Sequence, residues 1–272
     1  MYQMPQLKKG VSVKTKEILG LLLRNSENGL ITAKKAREVL NMTAQTASAK
    51  MASLAKRGWL ARVKRGIYFI IPLESGAGLK PVIDDPWVLA QVLYSPCYIG
   101  GWSAAEHWGL TEQIFRQVFV VTSANIRRRS ETILGTEFHI VRVKPERLKN
   151  LKPVWREQRQ VMVSDKEGTI ADALNSPDWV GGFRHLAAMV KTYIEEPNPD
   201  YQHLLERLEE IKKGAGYKRL GYLLENLSPD KKQLIEKICT KRSKGNIKLD
   251  PAVPSKGSLN KKWGLWINAS LI

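Results

Sequence analysis

Two groups of residues have types and spacings suited to binding a polyanion. The first is Thr43, Gln45, Thr46, Ala49, Lys50 and Ser53, followed by Arg62, Lys64 and Arg65. Glutamine can pair bidentately with adenine, an alanine methyl can meet a thymine methyl, and lysine and arginine neutralise phosphates. The chemistry such a set is suited to is recognition of duplex DNA, which breaks no bonds. The second group is the run Arg127-Arg128-Arg129, three planar forks that can clamp phosphates of DNA or RNA, or pair with an acidic protein surface. A charge run in a loop is more often simply solvated, so this second group is the weaker signal.

The first group needs a helix and a hairpin to present it. Residues 32–40 read as one helix, Asn41-Met42 as a tight turn, and residues 43–57 as a second helix with Thr43 as its N-cap. In that second helix Ala47, Met51 and Leu54 recur at helical spacing and point inward. Gln45, Ala49, Ala52, Ser53 and Lys56 then point outward, with Thr46 and Lys50 on the flank. Gly58 closes the helix, and residues 59–71 alternate or run apolar around an Arg65-Gly66 turn, which predicts a basic hairpin. Helix, turn, helix and hairpin make a winged helix-turn-helix. Such units also dock proteins, and a basic hairpin also serves as a protected sheet edge.

Catalytic patterns are weak by comparison. Gly100-Gly101-Trp102-Ser103 looks like the start of a nucleotidyltransferase site, but that chemistry needs an Asp-x-Asp pair shortly afterwards, and only Glu106 and Glu112 follow. Ser103 to Glu106 reads instead as a capping box at a helix start. The four histidines (His107, His139, His185, His203) share no i, i+4 pair and no cysteine or acid at metal spacing, which argues against zinc. Neither a Gly-x-Ser-x-Gly elbow nor a phosphate-binding Gly-x-x-x-x-Gly-Lys loop occurs. Glu137 and Lys144 are the only loose hint of a nuclease. The reading calls for no catalytic residue, no metal and no cofactor.

Charge supports a nucleic-acid partner. The 272 residues carry a net charge of +18, and residues 1–72 hold fourteen Lys/Arg against three Asp/Glu, which is +11 of that total. Apolar residues make up 43% of the chain, enough for ordinary globular cores in about two domains. Cys97 and Cys239 stand far apart and read as reduced core residues, consistent with a cytoplasmic protein. The first ten residues lack a signal-peptide apolar run, and no stretch reaches the length of a membrane span.

In order, the chain reads as a basic arm, a support helix over residues 14–25 ended by Gly29, the winged unit to Pro72, and a linker over residues 73–85. A helix at residues 87–94, capped by Asp85 and Pro86, opens a mixed module with strands at residues 97–100, 116–122, 137–143 and 160–163. Helices follow at residues 165–175, 179–195, 201–212, 218–226 and from Ser228-Pro229 to Thr240. The tail, residues 244–272, is too rich in Pro and Gly for a helix and too apolar to hang in water, so it should dock as an extended strap. The fold class expected is α+β: a winged helix-turn-helix (1–73), then a second domain (84–272). The latter comprises an α/β module (84–165), a helical part (165–242) and the docking tail (244–272).

Short motifs lie in order along most of the chain. They are Arg65-Gly66-Ile67-Tyr68 with Pro72, the stretch from Tyr98 through Gly100-Gly101-Trp102-Ser103 to Thr111, and Gln117 to Thr122 with its arginine run. Ser164 to Ala173 follows, with Asp165, Lys166, Glu167 and Asp172, then Lys248-Leu249-Asp250-Pro251, Trp263-Gly264-Leu265 and Asn268. In these residues and their order the chain resembles the AbiEi family, the antitoxin-repressors of type IV toxin-antitoxin systems. The segment from Trp179 to Thr240 carries few matching residues. The resemblance implies a repressor that binds inverted repeats upstream of its own operon through Gln45, Thr46, Lys50, Arg62, Lys64 and Arg65. It also implies a C-terminal part that counters a nucleotidyltransferase-like toxin, without requiring a stable complex. The alternatives are a nucleic-acid-modifying enzyme such as a nuclease, or a protein-docking adaptor.

Overall fold

The computed structural model describes residues 12–27, 29–71, 85–156, 159–255 and 257–271. The chain is an α+β protein, with ten α-helices and three sheets among the described residues. It divides into two compact units, Met1–Leu93 with Thr132–Thr136, and Tyr94–Glu131 with Glu137–Ile272. The expected basic arm, Pro72 and the expected linker short of Asp85 lie outside the described residues.

In the first unit the elements are α1 (Val13–Arg24), β1 (Leu30–Thr32), α2 (Ala33–Val39), α3 (Ala44–Lys56), β2 (Leu60–Lys64) and β3 (Ile67–Ile70). Leu19 and Leu22 of α1, Ala36 of α2, and Met51 and Leu54 of α3 close on Ile31, Leu60 and Ile70 to form one apolar core. The strands make an antiparallel sheet in the order β1-β3-β2. Strand β1 was not expected, because three residues abutting a helix carry too little periodicity to stand out. Gly29 is also corrected: α1 ends at Asn25, and Gly29, at φ +73°, turns the chain into β1 while its carbonyl accepts the Ile70 N–H.

The second unit is built on a mixed six-stranded sheet, β6-β7-β5-β4-β9-β8, from β4 (Cys97–Ile99), β5 (Gln117–Thr122), β6 (Ser130–Ile133), β7 (Thr136–Arg142), β8 (Leu151–Arg156) and β9 (Arg159–Ser164). Helix α4 (Pro86–Tyr94), which as far as Leu93 belongs to the first unit, is capped as expected, with Asp85 Oδ1 receiving the N–H of Trp87 at 2.7 Å. Strands β6 and β8 are additions to the expected set; each lies at an edge of the sheet, where polar residues blur the alternation. Helices α5 (Gly101–His107), α6 (Lys166–Asn175), α7 (Phe183–Ile194), α8 (Tyr201–Ile211), α9 (Ala215–Leu227) and α10 (Lys232–Lys241) complete the unit. Ile170, Leu174, Phe183, Leu186, Met189, Leu204, Leu208, Leu220 and Leu224 form its main core.

Three local expectations are corrected here. Ser103 caps no helix: α5 starts at Gly101, and the Ser103 hydroxyl accepts the Phe119 N–H at 2.9 Å, tying the helix to β5. The helix expected over residues 179–195 splits into a 3-10 turn (Pro177–Val180) and α7. Gly181 and Gly182 sit at φ +88° and +110° between them. The last helix begins at Lys232, because the Ser228 hydroxyl is spent on Asp230.

The tail docks, as expected, but as more than a strap. It folds into β10 (Ile247–Lys248), β11 (Ser258–Asn260) and β12 (Leu265–Ile267), a small sheet in the order β10-β12-β11. Leu249, Trp263 and Leu265 are fully buried in the helical core. Helix α9 receives Trp263 with two residues one turn apart: Gly221 leaves room for the ring, and Glu225 Oε2 accepts the indole N–H at 2.6 Å. A Cβ at Gly221 would overlap ring carbons Cζ3 and Cη2, which have nowhere to go. Gly221→Ala is therefore expected to destabilise the protein by about 2 kcal/mol through overpacking. Gly20→Ala in α1, where a Cβ meets nothing within 4 Å, should be neutral or slightly stabilising. Urea unfolding of both variants checks the contrast.

Candidate nucleic-acid interface

The turn between α2 and α3 is set by hydrogen bonds that one residue makes possible. Asn41 takes a left-handed conformation, φ +49°, and its N–H and that of Met42 reach back to the carbonyls of Glu38 and Arg37 at 3.2 and 3.1 Å. That is a Schellman cap with asparagine in the place glycine usually fills. Two residues later Thr43 starts α3, its hydroxyl accepting the Thr46 N–H at 3.2 Å. The N–H groups of Ala44 and Gln45, in the first turn, have no partner within the helix and are available to an anion.

Along α3 the expected faces are found. Ala47, Met51 and Leu54 are buried, whereas Thr43, Gln45, Thr46, Ala49, Ala52, Ser53 and Lys56 are exposed and Lys50 is half-buried. The exposed face is short and polar, so a partner can approach the helix backbone closely. A second Schellman cap ends the helix, with Gly58 at φ +78°, its N–H on Ala55 O and the Trp59 N–H on Leu54 O. It turns the chain directly into β2.

The β2–β3 hairpin closes through Arg65 and Gly66, Gly66 at φ +78°. Arg62 and Arg65 are exposed and Lys64 is half-buried. Pairing shifts by one residue between Arg62 and Lys64, a bulge that sharpens the local twist. The tip is held from one side, because Gly66 O accepts the N–H of Ala33, the first residue of α2, at 2.7 Å.

Arg127, Arg128 and Arg129 are exposed in the connection between β5 and β6. That connection has a fixed base. The buried Thr122 hydroxyl donates to Tyr94 O at 2.6 Å and accepts the Ala124 N–H at 2.9 Å, while Arg129 O receives the Ile140 N–H at 2.7 Å. Among the other residues weighed from sequence, His139 packs against Phe119 and Trp102, and burial lowers its pKa.

The structure also assembles polar clusters that no local motif announces. Asp165 caps α6 through the Gly168 N–H at 2.7 Å, and its other oxygen, Oδ2, meets His203 Nε2 at 3.0 Å and Arg207 Nη2 at 2.5 Å. Burial alone raises the Asp165 carboxyl, but these donors outweigh it and hold the pKa below its ordinary value. The Asp165 hydrogen bond raises that of His203. Asp165, Glu167 and His203 offer ligand atoms within 4.8 Å of one another, a grouping absent from the sequence reading. The Arg207 fork already occupies the shared oxygen, which makes the group an ion-pair network. Nearby, Asp172 is bonded to Arg147 and accepts the Tyr98 hydroxyl at 2.9 Å; burial raises the pKa of both Asp172 and Tyr98. These residues wall a cavity of about 290 Å³. The partners in these networks lie 25 to 74 residues apart, so no local motif signals them.

No protein-family model matches the chain, and no curated protein does. Among solved structures the fold is similar to that of the RV2827C protein from Mycobacterium tuberculosis, with a TM-score of 0.62 at 16% identity. The match covers 95% of this chain and 92% of that one. No helix among the described residues is long and apolar enough to cross a membrane.

The Asp165 network has a pH signature. Asp165, with its pKa lowered by folding, contributes stability above the ordinary carboxylate range and loses it as pH falls through the lowered value. His203, with its pKa raised, contributes fully below the ordinary imidazole value and loses that contribution as pH rises through the raised one. The destabilisation caused by His203→Gln should therefore be largest near pH 6 and shrink towards pH 9. Urea midpoints of both proteins across that range measure it, and a pH-independent difference would show that His203 contributes packing alone.

Proposed function

We propose that this chain is a DNA-binding transcriptional repressor whose first unit works as a winged helix-turn-helix. Helix α3 is its recognition helix and the β2–β3 hairpin its wing. The observation that carries this reading is the two-sidedness of α3. Ala47, Met51 and Leu54 turn into the core, and what remains outside is a low face of alanines and polar side chains beginning at an exposed, Thr43-capped N-terminus. Gln45 and Ala49 are placed to read base edges, Thr46, Lys50 and Ser53 to settle against the backbone, and Arg62, Lys64 and Arg65 to grip phosphates beside the groove. The +11 charge of residues 1–72 supplies the long-range attraction.

The resemblance to the AbiEi family extends the proposal. In that reading the operator lies upstream of the chain's own operon, and the second unit counters a nucleotidyltransferase-like toxin. The nuclease alternative has less to rest on, since Asp165 and Asp172, buried acids that line one cavity, are each bonded to a guanidinium. A protein-docking adaptor would use the same surface without phosphate contacts, and salt separates the two. Phosphate binding releases counterions and steepens the loss of affinity as salt rises.

The experiment is a gel-shift titration against the chain's own upstream region and a scrambled duplex, each at two salt concentrations. Specific binding that survives the higher salt is the expected result. Lys64→Glu with Arg65→Glu should abolish it, and retained affinity at physiological salt would remove the hairpin from the mechanism. Gln45→Ala should leave the salt slope unchanged while costing about 1–3 kcal/mol of discrimination at one adenine. Equal binding to both duplexes, lost as salt rises, would reject the repressor.

A further inference from the structure

The second unit has a cationic concavity of its own. Arg127, Arg128 and Arg129 from the β5–β6 connection and Arg142 from the end of β7 line a pocket of about 400 Å³, with Asp178 and Trp179 of the 3-10 turn on its wall. Backbone pairing brings the arginines together: Arg142 stands in register with Thr122, whose hydroxyl anchors the connection that carries the other three. Trp179 packs on Phe119 and is almost fully buried, which makes the wall firm.

Among the described residues none of these four guanidiniums forms an ion pair, in a unit where Arg147 and Arg207 are each bonded to a carboxylate. Four like charges around one hollow, offset by Asp178 alone, repel one another, and an anion of matching charge relieves that repulsion. Guanidinium forks meet phosphate oxygens two at a time. The net charge of about three on the pocket side chains suits a compact triphosphate, and the volume falls within the usual range for small-ligand sites. Duplex DNA presents its phosphates along a convex, extended backbone, a poor match to cations gathered around one concavity with an acid on its wall.

We propose that this pocket binds a compact polyphosphate anion, either inorganic triphosphate or the triphosphate tail of a nucleotide. The site belongs to the second unit and the proposal does not depend on the repressor reading.

The test is isothermal titration of the full-length protein at 150 mM salt with sodium triphosphate, ATP, GTP and AMP. One molecule of triphosphate or nucleoside triphosphate should bind per chain, with AMP at least tenfold weaker. Arg129→Gln with Arg142→Gln should weaken binding at least tenfold, and Lys64→Glu with Arg65→Glu should leave it unchanged. Equal affinity for triphosphate and the nucleotides would mean that the phosphates alone are read, whereas tighter ATP or GTP would make the ligand a nucleotide. Arg127→Gln with Arg128→Gln, altering exposed side chains, is the second pair if circular dichroism shows that the first has lost its fold. Absence of saturable binding would overturn the proposal, as would binding that survives both pairs. Displacement of triphosphate by a DNA duplex whose own affinity falls with the same arginines would overturn it too, by making the pocket a DNA contact.

Discussion

Arg219 leaves α9 where its side chain is only 2% exposed, and burial lowers its pKa to about 10, against the pull of Asp250 and Asp178. It is still charged at neutral pH, and a buried charge is tolerable only when every donor has a partner. The fork finds four carbonyls: Leu174 and Asn175 at the end of α6, and Lys248 and Leu249 in the tail. The first two are among the unsatisfied carbonyls that any helix leaves at its C-terminus, where the helix dipole also favours a cation. One side chain thus joins α6, α9 and the tail, and none of the three can leave without stranding a charge.

The neighbouring residue repeats the device. Lys218 is buried beside it and donates to Gly245 O, while Asp250 returns the favour by accepting the Phe183 N–H at the start of α7. Leu249, Trp263 and Leu265 of the tail are therefore part of the core of the second unit, which explains why so short a set of strands can hold Trp263 without solvent contact.

What was legible in the sequence follows the range of the forces involved. Caps act over three residues, so Thr43, Asp85 and Asp165 could each be read directly as helix starts, and the stripe of Ala47, Met51 and Leu54 told which face of α3 is inward. Ser103 shows the limit of that logic. Its spacing to Glu106 is that of a capping box, yet its hydroxyl is claimed by Phe119, sixteen residues away. The same blindness applies to His203 and Arg207, which looked like ordinary members of an amphipathic helix until the fold set them on Asp165. Edge strands β6 and β8 and the tail sheet were missed for a related reason: their residues are chosen by neighbours across the sheet, not along the chain. The arginine run was visible, but Arg142 and Asp178 were not visible as its companions.

The hydrogen bond from Ala33 to Gly66 O fastens the tip of the β2–β3 hairpin to the first residue of α2, and a Schellman cap locks α2 to α3. The hairpin and α3 are consequently a jaw of fixed bite. If the proposed DNA binding holds, a duplex gripped by it would meet little adaptability from the protein and would have to supply the deformation itself. Part of the selectivity would then fall to base steps that are never touched, and sequences that bend or narrow easily at the jaw's spacing would be favoured over stiff ones with identical contacted bases.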